Sequence, residues 1–298
     1  MNLIKKLSNN ALVGKYVRYL LQILVNSKAK KIAAHFARYL QPTIANTENL
    51  KKVSYELRHS VYCEELGFEE CREDRLEIDE FDPQSLHCLI QHKSSNKYAG
   101  TVRVVCSKND SELLPIEKYC LDSIDNDEYH PSKFPRNKIS EISRLAVPAE
   151  FRRRKIDQHK GSATGAINPA AYSEKELRCF PFIAVGLYFA AASIVLKNGI
   201  DHVYVMMEPR LARSLSMVGI NFVQIGPVVD YHGKRAPYYI DPNSLNTTLK
   251  PGFLELFRRI QDCVKNDKID DALNFEAEEI SGKANGLSFF NLSMPIQK

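Results

Sequence analysis

The feature that most constrains the fold is a pair of short strand patterns joined by a tight turn. Leu86–His92 and Tyr98–Ser107 are rich in apolar and β-branched residues, and a Ser-Ser-Asn turn lies between them, which predicts an antiparallel hairpin. Farther along, an apolar helix pattern at Phe182–Asn198 precedes a buried strand pattern at Val203–Met207. A hairpin followed by alternating helices and strands predicts an α/β (α+β) chain with a mixed twisted central sheet flanked by helices.

The remaining patterns divide the chain into three parts. We expect a basic amphipathic helical arm at 1–45, a main domain at 46–245, and a C-terminal helix and tail at 246–298. Within the last two parts, helices are predicted at Glu48–Leu66, Pro209–Val218 and Pro251–Val264, and strands at Ile139–Val147, Asn221–Ile225 and Val228–Ile240.

The N-terminal arm concentrates positive charge. The chain has a formal net charge of +5, yet residues 1–40 carry eight Lys or Arg and no Asp or Glu. Apolar residues recur there at helical spacing in two stretches, and Pro42 is predicted to end the second helix. Such helices can lie on the inner face of a membrane, pack on the main domain, or recruit an acidic protein. These alternatives stay open at this stage.

The cysteine count and the hydropathy limit the other possibilities. The seven cysteines are an odd number and form no CxxC pair, so a disulfide framework or a zinc site is not predicted, and reduced thiols indicate a cytoplasmic protein. The histidines His59, His87 and His202 are scattered, and we expect no metal site. No stretch is long and apolar enough to cross a bilayer, and the start is a poor signal peptide. We expect no nucleic-acid partner.

Four sequence blocks resemble a known family. The run Arg58-His-Ser-Val-Tyr62-Cys-Glu-Glu-Leu-Gly-Phe68 is similar to the N-terminal signature of the acyl-homoserine-lactone synthases, which has an arginine, an aromatic residue four positions later and another after Leu-Gly. The family usually has Phe and Trp at the two aromatic positions. Three more blocks follow in the family's order, namely the paired Asp79 and Asp82, the strand arginine Arg103, and the Glu-x-Ser-Arg strand with Glu141 and Arg144.

The next segment resembles the wider GNAT (acyl-CoA N-acyltransferase) fold. In that fold a strand leads through a glycine-rich turn to a helix, whose backbone N–H groups hold the phosphates of the acyl donor. Here the usual turn glycines are missing, and a long insertion precedes the helix at Phe182, which argues against ordinary acyl-CoA binding. An acyl carrier protein is acidic and presents the acyl group on phosphopantetheine, and it would suit the basic run of Arg152, Arg153, Arg154 and Lys155.

The resemblance implies transfer of a fatty acyl group to an amine, without a tightly bound cofactor. Glu141 is the best candidate for the general base, with Arg144 also needed for turnover, and backbone N–H groups near Leu145–Val147 would stabilise the oxyanion. Arg58, Arg103 and Arg144 either bind the carboxylate of the acceptor or pair with Asp79, Asp82 and Glu141 to shape the site. The residues predicted to contact the substrate are Arg58, Tyr62, Phe68, Asp79, Asp82, Arg103, Leu145 and Val147.

Three functions stay open on the sequence. The first is an N-acyltransferase that uses an acyl carrier protein or acyl-CoA and an amino acid or similar small amine. The second is an acyl-homoserine-lactone synthase, which requires S-adenosylmethionine. The third is a GNAT fold that binds lipid or carrier protein without catalysis. The chain is longer than the quorum-signal synthases, and as a whole it most resembles the acyltransferases associated with PEP-CTERM/exosortase systems, which are relatives of the N-acyl amino acid synthases.

Overall fold

Eight strands form the central layer of the computed structural model, which describes residues 32–152 and 182–266. The strands are β1 (Leu40–Ile44), β2 (Ser85–His92), β3 (Tyr98–Cys106), β4 (Ile139–Ala146), β5 (His202–Met207), β6 (Val223–Gln224), β7 (Val229–Asp230) and β8 (Lys234–Ile240). Their order is β1-β2-β3-β4-β5-β8-β6, with β7 paired to β8. Neighbouring strands are antiparallel except for β4 and β5, which run parallel. The mixed sheet and its flanking helices confirm the predicted fold class.

Helices cover the sheet. Residues 32–39 are helical (α1), and the other helices are α2 (Glu48–Arg58), α3 (Pro115–Tyr119), α4 (Ile183–Lys197), α5 (Pro209–Ser216), α6 (Leu245–Thr248) and α7 (Pro251–Asn266). Most of α4 is buried, because its residues are apolar on nearly all sides and it lies between the sheet and α7. No helix within 32–152 or 182–266 is long and apolar enough to cross a membrane.

The end of the predicted N-terminal arm belongs to the folded body. The sequence predicted a helix up to Pro42, but the helix ends one residue before Leu40, and Leu40–Ile44 pair with β2 as the edge strand β1. Phe36 on α1 is 2% exposed and packs against Gly186 of α4, where an added Cβ would lie 2.7 Å from the Phe36 ring. For residues 33–44, packing on the main domain is therefore the correct alternative. Residues 1–31 lie outside the described part.

Two other elements differ from the sequence prediction. The helix predicted at Glu48–Leu66 is α-helical only to Arg58, and His59–Glu65 continue it as a π-helical turn. The strand predicted at Val228–Ile240 is divided into β7 and β8 by a turn in which His232 and Gly233 have φ of 49° and 95°. A histidine tolerates this left-handed region better than a β-branched residue does, and glycine enters it without a Cβ penalty.

Candidate active site

The site forms where β4 and β5 separate. These strands are paired only from Ile139↔His202 to Glu141↔Tyr204, and the rest of β4 has no register partner on β5. Because the strands diverge beyond Glu141, a cavity of about 890 Å³ opens between them and is closed on its sides by α4 and α5. Ligand sites of this size commonly form where a sheet opens in this way.

A bulge shapes the β4 wall of the cavity. Between the pairs Arg103↔Ser143 and Thr101↔Ala146, β4 has one more residue than β3, and Arg144 adopts φ of 48°. The Tyr62 hydroxyl donates a 2.8 Å hydrogen bond to the carbonyl oxygen of Leu145 and so fixes the bulge. A bulge of this kind leaves backbone N–H groups without a partner in the hydrogen bonds between the two strands. The structure thus places Leu145 and Val147 on the cavity wall, at the predicted oxyanion-binding segment.

Glu141 lies on the same wall, at the point of divergence. Its carboxylate is 3% exposed and accepts a 2.6 Å hydrogen bond from the backbone N–H of Ile116. Within the described residues its carboxylate forms no ion pair, so burial raises the pKa of Glu141 to about 8, although the Ile116 N–H and the more distant Arg103 and Arg144 act in the opposite direction. A carboxylate with this pKa is suited to exchange protons with an amine near neutral pH.

The polar side of the site is an extensive set of buried ion pairs. We call it the ion-pair cluster, and its members are Arg58, Arg103, Arg144, Glu69, Glu77, Asp79 and Asp82. It connects the end of α2 and the segment that follows its π-helical turn to β3 and β4. Charges as deeply buried as these are stable only when they are paired and hydrogen-bonded.

Arg58 is at the centre of the ion-pair cluster. Its side chain is fully buried, pairs with Glu77, and forms two hydrogen bonds of 2.6 and 3.0 Å to the carboxylate of Asp82. These contacts raise the pKa of Arg58 although burial acts to lower it. Burial acts to raise the pKa of Asp82, but Arg58 and Arg103 outweigh it and hold that pKa well below its usual range.

Arg103 and Arg144 occupy the cavity side of the cluster. Arg103 contacts Asp79 at 2.5 Å and Asp82 at 3.1 Å, and its Nε donates to the Ser143 hydroxyl at 3.0 Å. Arg144 contacts Glu69, Glu77 and Asp79 at 3.0, 3.1 and 3.2 Å. The three arginines therefore pair with carboxylates, as one of the two sequence alternatives proposed. Their partners include Glu69 and Glu77 instead of Glu141.

A hairpin forms a second polar part of the rim, next to the ion-pair cluster, and its His232 Nε2 lies 3.9 Å from Glu69. Tyr231, His232 and Arg235, around the turn between β7 and β8, all line the cavity. The Arg235 guanidinium lies 5.9 Å from the centre of the Phe68 ring, and the His232 ring lies 5.9 Å from the same ring. Phe68 thus contacts the rim as well as lining the cavity.

The end of the cavity formed by α4, α5 and α7 is mostly apolar, although Glu208, just before α5, and Arg210 and Ser214 of α5 also line the cavity. The apolar lining residues include Phe151, Phe182, Val185, Val205, Leu211, Leu215, Met217 and Phe253. Met217 is 64% exposed, so this apolar surface extends to solvent beside α5. The end has the chemistry expected of a surface for a hydrocarbon chain.

The predicted site residues fall into three groups. Those that line the cavity are Tyr62, Phe68, Asp79, Arg103, Glu141, Arg144, Leu145, Val147 and Arg152. Arg58 and Asp82 are buried behind the wall and support it. Arg153, Arg154 and Lys155 lie outside the described residues.

Arg152 is not part of an exposed basic patch. It is 7% exposed, and its guanidinium pairs with Glu65. Arg152 lines the cavity instead, so its predicted contact with a carrier protein or its phosphopantetheine stays a prediction. The sequence analysis also missed the rim residues Tyr231, His232 and Arg235, as well as Glu69 and Glu77. Of these residues, only Glu77 was indicated by the sequence, because it begins the block that contains the paired aspartates.

Comparison with known proteins supports the fold. A family model described as an acetyltransferase (GNAT) domain matches residues 57–160. The crystal structure of TofI in a ternary complex with an inhibitor and MTA has a TM-score of 0.50 and 14% identity, and the match covers 72% of this chain and 99% of TofI. No curated protein matches.

Two further solved structures are similar at lower scores. The CoA-dependent acyl-homoserine lactone synthase BjaI, with SAM and isopentyl-CoA, has a TM-score of 0.48 and 16% identity over 74% of this chain and 89% of its own. FeeM, an N-acyl amino acid synthase from uncultured soil microbes, has a TM-score of 0.47 and 14% identity over 70% of this chain and 94% of its own. The match identifies a GNAT acyltransferase domain in residues 57–160, and the fold around it is of the GNAT type.

Proposed function

We propose that this GNAT-type acyltransferase moves a fatty acyl group from a thioester, on an acyl carrier protein or CoA, to the amine of an amino acid or a similar small acceptor. The observation that carries the proposal is Glu141, a buried carboxylate with a pKa raised to about 8, on the wall of a cavity with one polar and one apolar end. A structural carboxylate at this depth would be expected to have a cationic partner.

The proposed reaction uses two parts of β4, the carboxylate of Glu141 and the backbone N–H groups of the bulge. Glu141 removes a proton from the acceptor amine, and the amine nitrogen attacks the thioester carbonyl carbon. Backbone N–H groups of the bulge near Leu145 and Val147 donate hydrogen bonds to the oxyanion of the tetrahedral intermediate. The intermediate collapses with cleavage of the carbon–sulfur bond, and the thiolate leaves and takes up a proton. The products are an amide and a free thiol.

The apolar end of the cavity supports a fatty acyl group. Residues of α4, α5 and α7 surround it, including Val185, Leu215 and Phe253. Burial of each methylene there is worth about 0.8 kcal/mol, so a longer chain gains binding energy at a distance from the reacting carbon. The sequence run Arg153–Lys155 supports an acidic carrier protein as the donor, while the cavity by itself is equally compatible with CoA.

The experiment is an assay of thioester consumption with purified full-length protein. Decanoyl thioesters on an acyl carrier protein and on CoA are incubated with each of the twenty amino acids, with S-adenosylmethionine, or without acceptor, and products are identified by mass spectrometry. We expect an N-decanoyl amino acid and stoichiometric free thiol. An acyl-homoserine lactone formed only with S-adenosylmethionine would identify an autoinducer synthase instead. Absence of thioester consumption in every arm would leave a binding module.

The cellular setting is a second part of the proposal. The length of the chain and its basic N-terminal residues support a link with PEP-CTERM/exosortase systems and reversible attachment of residues 1–31 to the inner face of a membrane. Liposome flotation tests the attachment. The comparison is full-length protein against protein starting at residue 32, because a later start would remove Phe36 or β1. If both proteins float equally with anionic vesicles, or neither does, residues 1–31 are not a membrane anchor.

A further inference from the structure

Most of the arginines around the polar end of the cavity are already engaged by the protein's own carboxylates. Arg103 and Arg144 line the cavity, but their guanidinium groups contact Asp79, Asp82, Glu69 and Glu77 at 2.5 to 3.2 Å. An anionic substrate would have to displace a buried ion pair to reach them, and that exchange is unfavourable. Two other arginines on the cavity wall also have carboxylate partners, since Arg152 pairs with Glu65 and Arg210 lies 3.4 Å from Glu208.

Among the described residues, Arg235 has no such partner. It is half-buried at the start of β8 and lines the cavity. Its guanidinium contacts the ring of Phe68, and no described carboxylate lies within ion-pair distance of it. A half-buried guanidinium loses hydration, and the face of one aromatic ring replaces only part of it. The five N–H donors of the fork are therefore available to a ligand with carboxylate geometry.

Arg235 and Glu141 line the same cavity, and Tyr231, which precedes the β7–β8 turn, lines it as well. Burial raises the pKa of Tyr231 to about 12, Glu141 raises it further, and Arg144 and Arg235 oppose this shift. A small molecule in the cavity can therefore contact both a base and a cation that has no ionic partner among the described residues.

We infer that Arg235 binds the carboxylate of the acceptor and selects acceptors that carry both an amine and a carboxylate. This inference rests on the proposed function, in which Glu141 receives the proton of the acceptor amine. The carboxylate is common to free amino acids and to the methionine part of S-adenosylmethionine, so the chemistry is shared by two sources. The Phe68 ring, whose centre lies 5.9 Å from the guanidinium carbon, offers that cation a π face and no acceptor of its N–H groups.

The test compares Arg235→Gln and Arg235→Lys with Lys234→Gln. Lys234 is the neighbouring exposed cation, and it does not line the cavity. Each protein is assayed with decanoyl thioester and with three kinds of acceptor: the amino acid that wild type uses best, its α-amide, and S-adenosylmethionine. Calorimetric titration of the same acceptors without thioester gives a readout that is independent of turnover, and circular dichroism reports folding.

We expect Arg235→Gln to raise KM and Kd for the carboxylate acceptor by about 10- to 100-fold, the scale of a charged hydrogen-bonded pair. KM for the thioester should stay within about 2-fold, and the preference of wild type for the amino acid over its amide should disappear. Arg235→Lys, which keeps the charge without the fork, should give a smaller loss, and Lys234→Gln should behave as wild type. The S-adenosylmethionine arm shows which source of the carboxylate is used.

Two results would overturn the inference. One is an unchanged Kd for carboxylate acceptors in folded Arg235→Gln or Arg235→Lys protein. The other is a rise in KM for the thioester alone, which would assign Arg235 to the phosphates of the donor. If wild type transfers no acyl group, the proposed function fails, but the calorimetric comparison of carboxylate and amide still decides the role of Arg235.

Discussion

In the ion-pair cluster every guanidinium contacts at least two carboxylates, whereas Glu141 and Arg235, which also line the cavity, have no ionic partner among the described residues. Both regions place charges in a largely buried setting. In the ion-pair cluster the charges neutralise each other, and their role is to hold α2, β3 and β4 together. In the second, the charges stay available for a proton or a ligand. The contrast separates residues that support the site from residues that act in it.

The largest expected effect comes from breaking the cluster at its centre. Replacing Arg58 with Leu leaves Glu77 and Asp82 buried without their main partner, which should reduce the free energy of unfolding by about 3–5 kcal/mol. Urea unfolding of the variant measures the loss. The matched control is Arg259→Leu, because Arg259 is also ion-paired, to Glu255, but is exposed, and its pair is worth about 0.5 kcal/mol or less. Equal effects at the two positions would contradict the structural role of the cluster.

The next largest effect should be on turnover. Glu141→Gln keeps the shape of the side chain and removes the base, so kcat should fall by about 10²-fold or more while the protein stays folded. In wild type, kcat/KM should rise around pH 8 as Glu141 loses its proton, and this rise should be absent in the variant. Steady-state rates from pH 6 to pH 10 on both proteins test this. Wild-type rates in folded Glu141→Gln protein would place Glu141 with the structural carboxylates and remove the contrast between the two regions.

Glu141 should also affect stability, with a sign opposite to that of Asp82. Its pKa in the folded state is raised, so its contribution to stability is fully present below its unfolded pKa of about 4.3 and is lost as pH rises toward its folded value of about 8. Glu141→Gln removes this loss. The free energy of unfolding of Glu141→Gln minus that of wild type should be larger at pH 9 than at pH 5 by about 2 kcal/mol or more.

Chemical unfolding of both proteins at the two pH values gives the comparison. The Asp82 pKa is lowered, so its contribution is present above its unfolded pKa and disappears only in acid. Asp82 therefore does not contribute to the difference between pH 5 and pH 9. A pH-independent difference between wild type and Glu141→Gln would mean that Glu141 is not desolvated.

The smallest effect tests the bulge that joins the two regions. Tyr62→Phe keeps the ring beneath Arg144 and removes only the hydrogen bond to the Leu145 carbonyl, at a cost of about 1 kcal/mol. Because the bulge carries the predicted oxyanion donors, kcat should fall by several-fold with little change in KM. Tyr98→Phe, on the neighbouring strand, is the control. A change in KM alone would show that Tyr62 binds substrate without positioning the bulge.

Much of the framework could be predicted from the sequence. The β2–β3 hairpin, the apolar α4 and the strand with Glu141 and Arg144 each have a pattern that depends on residues close together in the chain. The π-helical turn at His59–Glu65 and the edge strand β1 could not be predicted, because both depend on what packs against them. The division of the last strand was missed although it has a local signal, the glycine at 233, which follows His232 in the turn.

The sequence by itself determined the order of the β2–β3 hairpin, β4, α4 and β5 and placed the charged residues on β3 and β4, since local periodicity and turn chemistry fix these elements. Only the tertiary structure decided which charges neutralise each other. Arg58, Arg103 and Arg144 meet their carboxylates through the packing of α2, the segment after its π-helical turn, β3 and β4. Glu141 lies on β4, whose separation from β5 opens the cavity, and Arg235 lies on β8, the neighbour of β5. The reason is physical, because the energy of a buried charge depends on groups within a few ångströms in space, and many of those groups are distant in the chain.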